Sequence, residues 1–213
     1  MRVVFVHGAC VKDGSWWWHR TAELLAERDV VSEAPALPSC GETGEPTGAQ
    51  GPGLVEDVAA VRGLLTASDE PTVVVAHSYG GIVTAEAAAG VDAVRHLLLV
   101  SSYLPEVGQS LSSFGGEEPA PFLDIDPEGG TFTVRPDALA GTFLQDCDPW
   151  IQRQATDKTA RQSGRLAGEA LLSQQLTGSV PPPRSVLHAC PVDENDSHTD
   201  LLVVIRSSTT RPM

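Results

Sequence analysis

The chain predicts an α/β fold, a mostly parallel sheet with helices on both faces, and three observations carry that prediction. Short apolar runs rich in β-branched residues, at 2–6, 72–75 and 92–101, are the right length for buried strands and too short for helices. Segments with apolar residues at helical spacing lie between them, and strands alternating with helices build parallel sheets. The residues able to do chemistry cluster just after those runs, at the strand ends where ligands bind in such sheets.

Taken in order, residues 2–6 (RVVFV) read as a first strand, followed directly by His7-Gly8-Ala9-Cys10. Residues 16–28 read as a helix, with Trp17, Leu24 and Leu25 among its core positions. Residues 30–35 are a weak second strand, and the Pro, Gly, Ser and Thr of 35–52 mark a loop. Residues 53–66 carry Leu54, Val58, Val61 and Leu65 at helical spacing. Residues 92–101 give a further strand ending in Ser101-Ser102-Tyr103-Leu104-Pro105.

Beyond residue 106 the character changes. Residues 122–126 and 131–135 flank Pro-Glu-Gly-Gly and read as a hairpin with a four-residue turn. Helical segments are expected at 136–146 and 148–175. The chain is read as a single domain over 1–213, with 106–175 inserted as a cap or lid over the site; packing elements with no gating role are the alternative.

The stretch 72–89 (TVVVAHSYGGIVTAEAAA) organises the rest. A β-branched strand runs into a turn of small residues with Ser78 at its apex, then into an Ala-rich helix. That is the setting of a nucleophile elbow, a sharp strand-to-helix turn that exposes a serine hydroxyl. The small residues two before and two after the serine are Ala76 and Gly80, so the G-x-S-x-G pattern is met with Ala in first place. The following amide, that of Tyr79, opens a helix and points at any oxyanion formed there. The bland alternative is a serine acting only as a helix cap.

Length and composition bound the function. With 213 residues, 41% apolar and 20% charged, the chain suits one well-buried domain. Its net charge of −14, from 28 acidic and 14 basic residues, argues against nucleic acid or an anionic membrane as partner. Cys10, Cys40, Cys147 and Cys190 show no metal-type spacing, so no metal and no cofactor are expected. No run reaches the length of a membrane span and no signal segment is read at the N-terminus, which points to the cytoplasm.

His7-Gly8-Ala9-Cys10, the tryptophan-rich helix start, the Ser78 turn and Ser101-Ser102-Tyr103-Leu104-Pro105 together resemble the α/β-hydrolase superfamily. The likeness is to the branch of salicylate and methyl-ester esterases, hydroxynitrile lyases and their small bacterial relatives, over about residues 2 to 175. The resemblance implies acyl transfer: Ser78 attacks an ester carbonyl and a histidine takes its proton. It implies an oxyanion hole from the amides of Ala9 and Tyr79. It also implies a pocket formed by Gly8, Cys10, Tyr103 and Leu104, with His7 and His77 structural. The expected partner is a small-molecule ester, with a homodimer left open.

A triad on this fold runs Ser, acid, His. Residues 185–190 followed by Pro191-Val192-Asp193 fit the strand that precedes the acid, which makes Asp193 its candidate; a solvated loop aspartate is the alternative. The base is the weaker match. His198 is the one histidine after Asp193, whereas the family places the base after a further helix and strand. Residues 201–205 (LLVVI) suit a strand, but a parallel one would put His198 at its wrong end. The last strand and helix are therefore expected to be missing, as a truncation or an altered reading frame after about residue 195 would leave them. Two hypotheses follow: a serine esterase, intact or weakened, and a vestigial binding protein that keeps the pocket without turnover. Lyase chemistry on the same scaffold would need a lysine near the base, and the chain has only Lys12 and Lys158.

Overall fold

The computed structural model describes residues 1–116 and 118–170 and the two strands at 186–189 and 203–206. Strands β1 (Arg2–Val6), β2 (Ser32–Glu33), β3 (Thr72–His77), β4 (Val94–Val100), β8 (Val186–Ala189) and β9 (Val203–Arg206) form one six-stranded sheet in the order β2-β1-β3-β4-β8-β9. All neighbours run parallel except β8 and β9, which are antiparallel. Helices α1 (Gly14–Ala26), α2 (Leu54–Thr66) and α3 (Gly80–Ala87) supply the crossovers.

Alternation along the strands sorts the core into two layers. Val4 and Val6, Val74 and Ala76, and Leu97 and Leu99 face α2 and α3, where Val61, Leu65, Ile82 and Val83 are buried among them. Val3, Phe5 and Val75 face the other way, against Trp18, Ala22 and Leu25 of α1, and Trp18 stacks on Phe5 with ring centroids 4.6 Å apart. Each fully buried aliphatic side chain in these layers contributes on the order of 2 kcal/mol. Leu24, expected in the core, is 54% exposed. The stripe that meets the sheet runs 18, 22, 25, and Leu24 lies off it.

The hairpin is found as β5 (Leu123–Asp126) and β6 (Thr131–Val134), paired antiparallel across a four-residue turn. The helical expectations for the insert need correction. The first segment is a single turn, Pro136–Ala138, continued by a π-helical turn at Leu139–Phe143. In place of one helix over 148–175, α4 (Pro149–Asp157) stops and the chain straightens into β7 (Gln162–Ser163), then closes one turn at Arg165–Gly168. Tertiary partners override helix propensity there. Lys12 N–H donates to Lys158 O at 2.9 Å, Ala160 N–H donates to Cys10 O at 2.8 Å, and β7 pairs with β6. The backbone groups a longer helix would have used internally bind the loop after β1 instead.

Candidate active site

β3 delivers Ser78 to the sheet edge with φ 50°, in the left-handed region that costs a residue with a Cβ of order 1 kcal/mol or more. The turn is tight because both following glycines touch backbone. A Cβ on Gly80 would sit 2.5 Å from Val6 O and 2.6 Å from His7 O, and one on Gly81 would collide with Ser102 Oγ and Tyr103 O. Ser102 Oγ–H donates to Ser78 O at 2.6 Å, tying the loop after β4 to the serine's own peptide.

The loop after β1 closes over the same edge. A Cβ on Gly8 would lie 2.9 Å from His77 Nδ1 and 3.1 Å from Ser78 Cβ, so only glycine permits this approach. Among the described residues no backbone hydrogen bond engages the amide of Ala9 or of Tyr79. Two amides without a backbone partner among the described residues, beside the half-buried Ser78, are what a developing oxyanion needs.

His7 is wholly buried, with Nδ1 2.8 Å from Gly8 O and Nε2 2.7 Å from Glu42 Oε2. The ring is thereby fixed between a backbone carbonyl and a carboxylate, which sets its orientation beside the loop. Burial alone would raise the Glu42 carboxyl, but the His7 hydrogen bond and charge and the amides of Leu37 and Asp13 hold it below its ordinary value. The His77 ring has no hydrogen bond to a described residue; burial, with His7 adding to it, holds it below the ordinary imidazole value.

A second buried set lies behind the turn. Asp57 of α2 is fully buried and accepts from Ser39 N–H at 2.9 Å, Ser39 Oγ–H at 2.5 Å and Tyr79 O–H at 2.8 Å. Burial pushes its carboxyl up against the pull of those donors. Sequence reasoning missed Asp57, although it lies on the Leu54, Val61, Leu65 stripe, where a charged residue must be satisfied. It also missed Glu42, Ser39 and Gln162, whose partners are remote in sequence.

A cavity of about 1250 Å³ opens on Ser78. His7, Gly8, Ala9, Cys10, His77 and Tyr103 line it near the serine, and Phe122, Leu123, Phe132, Val134, Leu139, Phe143 and Leu144 line it from the insert. Tyr103 stacks on Phe114 at 4.7 Å. Arg165, the one arginine or lysine among the described lining residues, is bound by Glu56 and Glu169. Leu104 does not join this lining: it is 43% exposed. The tryptophans divide their roles: Trp18 is core, while Trp16 and Trp17 pack against Leu139, Leu144 and Ala155 of the insert.

Asp193 and His198 lie outside the described residues. The strands flanking them are informative. Register places His77, Val100, Ala189 and Val203 in one row across the sheet, one residue below Ser78. The chain therefore leaves β8 and enters β9 at the serine's edge. This corrects the objection built on a parallel final strand.

The geometry has counterparts. A structure of an extracellular α/β-hydrolase from a Paenibacillus species, titled as sharing structural and functional homology with tobacco salicylic acid binding protein 2, matches with a TM-score of 0.70 at 17% identity, over 89% of this chain and 77% of that one. A pyrethroid hydrolase from Sphingobium faniae matches with a TM-score of 0.68 at 19% identity, over 82% of this chain and 73% of that one. A methylesterase from Arabidopsis matches with a TM-score of 0.59 at 16% identity, over 81% of this chain and 72% of that one. At such identities the likeness is one of fold. No curated protein sequence matches the chain. Residues 3–210 match the alpha/beta hydrolase family, and the chain belongs to it.

Proposed function

We propose that this hydrolase cleaves a small carboxylic ester through an acyl-enzyme on Ser78. The observation that carries the reading is Ser78 itself, held at φ 50° on a strand-to-helix turn beside the amides of Ala9 and Tyr79, which have no backbone partner among the described residues. Attack of Ser78 Oγ on the carbonyl carbon breaks its π bond, and the two amides receive the negative charge formed on oxygen. The base, His198 in this proposal, takes the Ser78 hydroxyl proton and gives it to the alcohol that leaves as the adduct collapses. Water, losing a proton to the same base, then attacks the acyl-enzyme and releases the acid and Ser78. The apolar lining, with Arg165 already bound by two carboxylates, supports a neutral ester over one carrying a free carboxylate.

Asp193 and His198 are proposed as acid and base. Both fall between Ala189 and Val203, the two residues at the serine's edge of the sheet. Ser78 lies two strand spacings from β8, about 10 Å, and five residues of chain span roughly 16 Å. A cytoplasmic setting is proposed on the free thiols of Cys10, Cys40 and Cys147; no helix among the described residues is long and apolar enough to cross a membrane.

A fluorophosphonate probe and p-nitrophenyl butyrate test the reading. Labelling and hydrolysis that both vanish in Ser78→Ala are the expected result, with His198→Ala lowering turnover by several orders of magnitude. Labelling that persists in Ser78→Ala overturns the site. Ligand binding without turnover, unchanged in His198→Ala, identifies a vestigial binding protein instead.

A further inference from the structure

The buried hydrogen bonds behind Ser78 form one chain that converges on Asp57 and runs from the Tyr79 side chain to the amide of Cys10, the residue after Ala9. At one end Tyr79 O–H donates to Asp57 Oδ2 at 2.8 Å, and the same oxygen accepts from Ser39 Oγ–H at 2.5 Å. Ser39 Oγ in turn accepts from Gln162 Nε2 at 2.7 Å. At the other end Gln162 Oε1 accepts from Cys10 N–H at 2.7 Å. The orientation of the Gln162 amide is forced, because the Cys10 peptide offers it only a donor. Gln162, Ser39, Asp57 and Tyr79 are all wholly buried, so water does not compete for these bonds.

Neither end is arbitrary. Tyr79 carries one oxyanion amide and Cys10 directly follows Ala9, which carries the other. Cys10 sits at φ 60°, a conformation that needs support from its surroundings. The insert supplies that support on both sides of the residue: Gln162 takes its N–H, and the Ala160 N–H donates to its carbonyl at 2.8 Å.

We propose that Asp57, Ser39 and Gln162 are positioning residues that hold the Ala9 and Tyr79 amides in register with each other, so that β7 of the insert sets the geometry of the oxyanion hole. The proposal rests on Ser78 being the nucleophile. Its physical basis is that such donors act only within a narrow distance of the developing charge, so a small displacement costs rate without costing substrate binding. The device also gives the insert a role beyond walling the pocket: an insert pulled away from the core would release Cys10 and relax the hole.

Three variants test it in the full chain: Gln162→Met, which keeps the volume and removes both bonds; Ser39→Ala, which cuts the chain at its middle; and Tyr79→Phe, which detaches one end and leaves the amide in place. Functional sites are counted by exhaustive fluorophosphonate labelling, and kcat and KM for p-nitrophenyl butyrate are measured per labelled site. Counting sites this way removes any loss due only to unfolding, and a variant that fails to fold leaves the other two to decide. The expected result is a fall in kcat per site of about tenfold or more with KM within about twofold. Parent-like kcat per labelled site in the folded variants overturns the proposal while leaving Ser78 as nucleophile. A parent protein that is not labelled at Ser78 overturns the functional reading, and this one with it.

Discussion

Glu42 shows how a single buried carboxylate organises the loop that the site depends on. It accepts from His7 Nε2 at 2.7 Å and from the amides of Leu37 and Asp13 at 2.8 and 2.7 Å, so its own loop and two remote points of the chain converge on one side chain. Its carboxyl is held below the usual range, with burial opposing and the His7 interaction and the two amides prevailing. A folded-state value below the unfolded one contributes stability above the ordinary 4.5 and loses it as pH falls through the folded value. Glu42→Gln is expected to be less stable than the parent by about 2 kcal/mol near neutral pH, with the gap narrowing below pH 4.5. Denaturant unfolding across that range reads it, and a gap that widens toward acid would contradict the assignment. His77 adds to the acid sensitivity. Burial favours its neutral ring, so its contribution is present above 6.5 and lost as pH falls through its lowered value. A His77→Gln variant should flatten the stability profile below pH 6.5.

At the scale of elements, the contact between α3 and β1 decides how sharply the chain can turn at Ser78. Gly80 does not have a positive φ, so its requirement is steric: a Cβ there would press on two carbonyl oxygens of β1 and the loop after it. Gly80→Ala is expected to cost about 3 kcal/mol and to move the Tyr79 amide, because the helix must back away from the strand. The checks are a drop in Tm together with slower fluorophosphonate labelling of the protein that remains folded. The sequence carried this element plainly, since a β-branched run followed by A-x-S-x-G-G has few other ways to fold. It carried the buried strands as well, through the short apolar runs at 2–6, 72–75 and 92–101. It did not carry the fate of residues 158–163. Their composition suits a helix, and only the unpaired backbone of the loop after β1 and the open edge of β6 draw them into extended pairing.

For the whole molecule, the question is how the insert is held to the sheet domain. Trp16 and Trp17 meet Leu139, Leu144 and Ala155 on one side, and Trp17 Nε1–H donates to Lys158 O at 3.3 Å. On the other side Arg165 reaches Glu56 at 2.7 Å, Glu169 at 2.6 Å and Gly51 O at 3.1 Å, while Glu169 accepts the first amide of α2 at 2.5 Å. These pairs are about one-third exposed, so water screens them and their worth is on the order of 1 kcal/mol. Arg165→Met should therefore lower Tm only slightly while speeding amide hydrogen exchange in β7 and the turn after it. If exchange there matches the parent, the Arg165 cluster does not fasten the insert.

The sequence by itself determined the α/β class, the strand and helix order as far as the fourth strand, and the placing of Ser78, Ala9 and Tyr79 at one sheet edge. These follow from periodicity, turn chemistry and chain order, which are local properties. Tertiary structure decided the rest. It turned the last strand antiparallel, left Leu104 outside the pocket, and joined Asp57, Ser39 and Gln162 into a buried chain behind the elbow. The reason is one of range: a buried hydrogen bond between residues 123 apart, as from Gln162 to Ser39, leaves no pattern in either neighbourhood and exists only once the insert has docked.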